Sequence, residues 1–172
     1  MTTEHRIARV LASLILLGAI ANLIGWWLDS TVLKGILPGF ITMKVVTAVA
    51  FLVTGGLLLS MISSMDDDVK QFLVFAASIW LIVMLSPFIF SLVSGSKTGL
   101  ENLFVEDTQV LLLGPMPGWP SLGTIIGFLL IALCGLVYAF KLDAPKKVFF
   151  NTGALAVILG ILPLLGYLAE IP

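Results

Sequence analysis

Few residues in this chain can do chemistry. His5 is the only histidine and Cys134 the only cysteine, so a metal centre of the all-Cys/His type, a haem held by two histidines and an intramolecular disulfide are all excluded by count. No serine or threonine has a nearby histidine to act as its base, and no Gly-rich phosphate loop or metal-ligand spacing occurs. The remaining candidates are acidic. Asp66-Asp67-Asp68 precedes an apolar block, where carboxylates favour the start of a helix, and Glu101, Glu106 and Asp107 lie in a segment between apolar blocks. This pattern predicts no catalytic residue, no cofactor and no metal. The enzyme reading with most chemistry behind it is a lipid-modifying one working through Glu106 or Asp107, and it ranks last.

The elements that hold these residues are apolar. Of 172 residues, 59% are hydrophobic and 11% charged, and the mean hydropathy is +1.15; a soluble domain is roughly 45–50% apolar and about 25% charged. A bilayer core is about 30 Å thick and a helix rises about 1.5 Å per residue, so a span takes roughly 20 apolar residues. Five blocks qualify, at about Ile7 to Trp27, Met43 to Ser63, Phe72 to Val93, Ser121 to Phe140 and Val148 to Ala169. The expected fold is therefore all-α: a polytopic transmembrane helical bundle of about five spans, forming a single membrane domain over residues 1–172. Pro87 and Pro163 are expected to kink their spans.

Orientation follows from the basic residues. With the N-terminus in the cytoplasm, Arg6, Arg9, Lys70, Lys141, Lys146 and Lys147 lie inside, against Lys34, Lys44 and Lys97 outside, as the positive-inside rule prefers. The expected location is a bacterial inner membrane, with the C-terminus outside. Trp26-Trp27 reads as an interfacial aromatic belt. The segment from Leu28 to Gly39 is too apolar for a solvated linker, and reads as interfacial or re-entrant. Leu100, Leu103 and Phe104 share one helical face, as in a short helix lying on the membrane.

Two stretches look alike. Pro38-Gly39-Phe40, followed by Thr47 and Phe51-Leu52, is echoed by Pro117-Gly118-Trp119, followed by Thr124 and Phe128-Leu129. Pro-Gly suits the end of a loop and the start of a new helix. The echo divides the chain into repeat-like units at about 7–63 and 72–140, with an extra helix at 148–169. Both units would have the same topology, so the repeat is expected to be parallel.

Trp26-Trp27-Leu28-Asp29, the run from Pro38-Gly39 through Thr47-Ala48 and Phe51-Leu52 to Gly55, and Gly99-Leu100-Glu101-Asn102-Leu103-Phe104 together resemble the hydrophobic N-terminal membrane input region of some bacterial sensor histidine kinases and diguanylate cyclases. The resemblance covers about the first four spans and implies a sensing role. Two departures stand against it: Val45-Val46 replaces a Pro-Asn pair, and no kinase, cyclase or coiled-coil segment follows the last block.

No ionisable residue sits near the centre of a span, so a charge relay is not expected. Lys44 lies at the end of its block and snorkels or meets an anionic group. The polar residues within spans include Asn22, Thr47, Thr54, Ser78, Ser86 and Thr124, and Asn22 is the costliest to expose to lipid. Gly18, Gly25, Gly55, Gly56, Gly127, Gly135, Gly153 and Gly160 would permit close helix approach.

The function expected is a non-catalytic membrane module for sensing, scaffolding or support of a complex. Its partners would be membrane lipids and another membrane protein or a second copy, with no nucleic acid. The surface expected to meet them comprises Asn22, Trp26, Trp27, Pro38, Thr47, Leu103, Phe104, Trp119 and Thr124. The rival is a small channel or carrier for a neutral or lipidic solute, with its path near Asn22, Thr47 and Thr124. Placing Cys134 inside a span makes one outcome checkable: an impermeant thiol reagent should label it slowly in intact cells, and fast labelling would refute the span assignment.

Overall fold

The computed structural model describes residues 3–35, 42–95, 120–143 and 146–168. Among them every element is a helix: α1 (Thr3–Trp27), α2 (Thr31–Gly35), α3 (Val45–Met61), α4 (Asp67–Ser94), α5 (Leu122–Ala139) and α6 (Lys146–Leu168). Helices are what apolar surroundings demand, because each satisfies its backbone groups internally. Among the described residues α1, α4 and α5 are long and apolar enough to cross a membrane, and α3 is a shorter apolar helix. α4 starts earlier than its apolar block, because Asp67 and Asp68 occupy its first turn. Asp66 is its N-cap residue but makes no side-chain cap; Asp67 instead pairs with Lys70 at 2.7 Å.

The helices pair in chain order. α1 packs mainly on α3 and α4 mainly on α5, while α3 joins the two pairs through contacts with α4 and α5. The indole of Trp26 reaches Met43, and Leu16 lies against Gly55, so α1 and α3 are antiparallel. Phe75 meets Phe140 and Ser78 lies against Gly135, so α4 and α5 are antiparallel too. Phe51 meets Phe128 and Leu57 lies against Gly135, which sets α3 and α5 parallel. The core lies where the pairs meet. Val46 and Ala50 of α3, Leu81, Leu85 and Phe88 of α4, and Ile125, Phe128 and Ala132 of α5 are buried there, with Phe51 edge-on to Phe128 at a centroid separation of 4.9 Å.

Small residues set how closely the helices approach. Ala12, Ala19, Ala48, Ala50 and Ala132 are buried, as expected where association depends on packing rather than on expulsion of water. Of the glycines expected to permit close approach, Gly25, Gly55 and Gly135 do so. A Cβ on Gly55 would fall 2.6 Å from Leu16 Cγ. By contrast, Gly18, Gly56, Gly127, Gly153 and Gly160 face open space, with nothing within 4 Å of such a Cβ. Spacing alone places a glycine on a helix but does not say which neighbour, if any, faces it.

α4 continues through Pro87. Proline lacks the N–H that would have reached the Val83 carbonyl, and the Ser86 hydroxyl donates to that oxygen instead, at 2.8 Å. The side chain of Pro163 lies outside the described residues. Gly55→Ala should destabilise the bundle by about 1–3 kcal/mol through overpacking, whereas Gly56→Ala should be neutral or stabilising; thermal unfolding of the two variants in one detergent separates them.

Candidate functional site

The densest polar construction among the described residues lies where α1 gives way to α2 and α3. α2 has five residues, too few to stand alone as a helix, and its last carbonyls need donors from elsewhere. Asn22 supplies them. Its side-chain amide nitrogen donates to the carbonyls of Lys34, at 2.9 Å, and Leu33, at 3.3 Å. The Met43 N–H donates to the same Lys34 carbonyl at 2.9 Å, so one oxygen ties Met43, two residues before α3, to the end of α2. Trp26 Nε1 donates to the Met43 carbonyl at 2.8 Å.

Gly25 makes this geometry possible. A Cβ there would lie 2.6 Å from Leu33 Cβ and 2.9 Å from both the Leu33 carbonyl carbon and the Lys34 nitrogen. Two of those atoms are backbone and have no rotamer through which to escape. Asp29, with φ of 53°, reverses the chain between α1 and α2 in a conformation that aspartate tolerates better than most residues.

Lys34 closes the assembly. Its side chain is only 11% exposed, and the ammonium lies 4.4 Å from the centroid of the Trp26 ring while pairing with the Asp29 carboxylate. Cation–π attraction and an ion pair therefore hold the same charge. The Lys34 hydrogen bond, followed by its charge, keeps the Asp29 carboxyl below the usual carboxylate range. Asn22 itself is 3% exposed, and its Oδ1 is buried with no partner among the described residues, as is Thr54 Oγ1 on α3.

The residues expected at the partner surface are thus divided. Asn22 and Trp26 brace the α1–α3 connection, whereas the neighbouring Trp27 is 83% exposed. Thr47 is half-buried on α3. Thr124 begins α5, its N–H capped by Ser121 Oγ at 3.2 Å and its hydroxyl 2.8 Å from the same oxygen. Asn22 and Thr124 therefore spend their hydrogen bonds on separate neighbours. Pro38, Leu103, Phe104 and Trp119 lie outside the described residues. Sequence reasoning missed Lys34, Gly25 and Met43 as members of one structure; the mismatch between an apolar connector and its single lysine was the available signal. Among the described residues, no group of three or more His, Cys, Asp or Glu side chains comes together to hold a metal.

No protein-family model, curated protein or solved structure matches the chain.

The assembly predicts its own sensitivities. Asn22→Leu takes the side-chain donor from the Leu33 carbonyl and leaves the Lys34 carbonyl with the Met43 N–H alone; it should cost about 1–3 kcal/mol, seen as a lower unfolding midpoint in detergent and a red-shifted tryptophan emission. The Asp29–Lys34 contact follows a carboxyl whose folded pKa is lowered. Its contribution is complete above the ordinary carboxylate pKa and is lost as pH falls through the lower folded value. Trp26 emission should therefore change on acidification below about pH 4, and this step should be missing in Asp29→Asn.

Proposed function

We propose that the chain is a five-span, non-catalytic integral membrane module that supports, scaffolds or gives a sensing input to a partner. In this reading the N-terminus is cytoplasmic, the C-terminus lies outside, and the membrane is a bacterial inner membrane. Two parallel units, α1 with α3 and α4 with α5, carry α6 as an addition. The pairing of Phe51 with Phe128 supports the repeat. These phenylalanines hold matching places in the two similar stretches, each four residues after its threonine, and equivalent residues of a parallel repeat meet on the pseudo-two-fold axis.

The observation that carries the module reading is the same ring pair. It lies within the apolar core between the two helix pairs, where a carrier would need its path. Asn22 and Thr124, the polar groups that such a path would use, bond locally. Asn22, Trp26, Asp29 and Lys34 serve instead to fix one rim of the bundle, beside the exposed indole of Trp27. A fixed rim with a large projecting aromatic suits recognition of a partner by shape.

Purification in mild detergent should recover a stoichiometric larger partner or a homo-oligomer. Trp27→Ala should weaken that association while leaving stability within about 0.5 kcal/mol of the parent, and Trp26→Ala should lower both. A monomer that binds nothing would overturn the reading, as would solute flux in reconstituted liposomes above that of empty vesicles.

A further inference from the structure

α6 touches the bundle along one narrow stripe. Phe149, Thr152, Ala156 and Leu159 are half-buried, at the spacing of a single helical face, and the residues between them are exposed. Among the described elements α6 packs on α5 alone. No Cα of α6 comes within 8 Å of one of α3, and the space between α3, α5 and α6 is a cavity of about 320 Å³, bordered by Phe51, Thr124, Gly127, Phe128, Leu159 and Gly160.

Three properties of this cavity define what fits it. None of its lining residues is charged, and the one side-chain hydroxyl on its border, that of Thr124, already bonds to Ser121, so the lining suits an apolar occupant. Gly127 and Gly160 have no atom within 4 Å of the place a Cβ would take. Helix approach therefore does not require glycine at either position, although glycine weakens a helix interior; what their missing side chains provide is width in the cavity. Among the described residues access is lateral, since the backbones of α3 and α6 stay more than 8 Å apart. α5 is long and apolar enough to cross a membrane, so the medium at the opening is lipid tails. An empty apolar slot forfeits the dispersion contacts of its lining.

We propose that this slot holds one acyl chain of a phospholipid as a resident ligand, inserted between α3 and α6 against the Phe51–Phe128 pair. It wedges α6 in place and is distinct from the exchanging lipids around the bundle. The proposal is independent of any protein partner.

The test is native mass spectrometry of the full chain, purified from bacterial membranes in mild detergent and washed. A single phospholipid should be retained per chain. Gly127→Leu with Gly160→Leu fills the slot and should reduce that occupancy by about tenfold or more, whereas Gly56→Leu, at another open glycine outside the slot, should retain it. Equal retention in the slot-filled and control chains would overturn the proposal, as would no retained lipid or an isoprenoid in place of a phospholipid. Should the filled variant not fold, the otherwise unaltered chain answers the question through a photoreactive benzoylphenylalanine in place of Leu159. This should crosslink one phospholipid well above the level given by the same group at exposed Val157, and equal crosslinking would refute a resident chain.

Discussion

Two carbonyl oxygens at the end of a five-residue helix have to find donors, and the side-chain amide of Asn22 provides for both. Within an apolar environment an unpaired backbone group costs several kcal/mol, which is why the described chain is helical apart from short connections. Where α1 gives way to α2, and again just before α3, helical bonding stops and side chains take over. Asn22, Trp26 and the doubly used Lys34 carbonyl form one network, and Gly25 gives α2 the room to reach it. A second interruption, at Pro87, is repaired on a smaller scale by the hydroxyl of Ser86.

With its ends fixed in this way, the bundle is held by close packing. Gly55 lets α1 and α3 approach, and Gly135 lets α5 come against Ser78 and Leu57. The large apolar residues are concentrated where the two helix pairs meet, and Phe51 and Phe128 fill the junction. Outward faces stay apolar as well: Leu14 and Leu17 on α1, Phe90 on α4 and Leu133 on α5 are all exposed. In water this would be a liability, but against lipid tails it is the expected outer surface.

Function, in this picture, follows from how the polar groups are distributed. Most of them are used on capping, on the Asp29–Lys34 and Asp67–Lys70 ion pairs and on hydrogen bonds to helix carbonyls, and no group of three or more His, Cys, Asp or Glu side chains comes together among the described residues. The projecting indole of Trp27 and the slot beside α6 are two distinct features of the surface, one formed by a single exposed ring and the other by a gap between helices.

The helical class, the approximate limits of the apolar blocks and the scarcity of chemistry were legible in the sequence, because each depends on local composition and run length. Asn22 was legible too, since a buried amide in an apolar block has to find partners. Its actual partners were not, because they are backbone carbonyls, which every residue possesses and no sequence marks. The two adjacent tryptophans looked equivalent and became different only when α2 folded back over one of them. Eight glycines looked alike as packing positions, and only the placement of neighbouring helices distinguished Gly25, Gly55 and Gly135, which are pressed against another chain segment, from Gly127 and Gly160, which open a cavity. Sequence determined which residues could be small, polar or apolar; tertiary structure decided what each of them faces, because facing depends on contacts between helices distant along the chain.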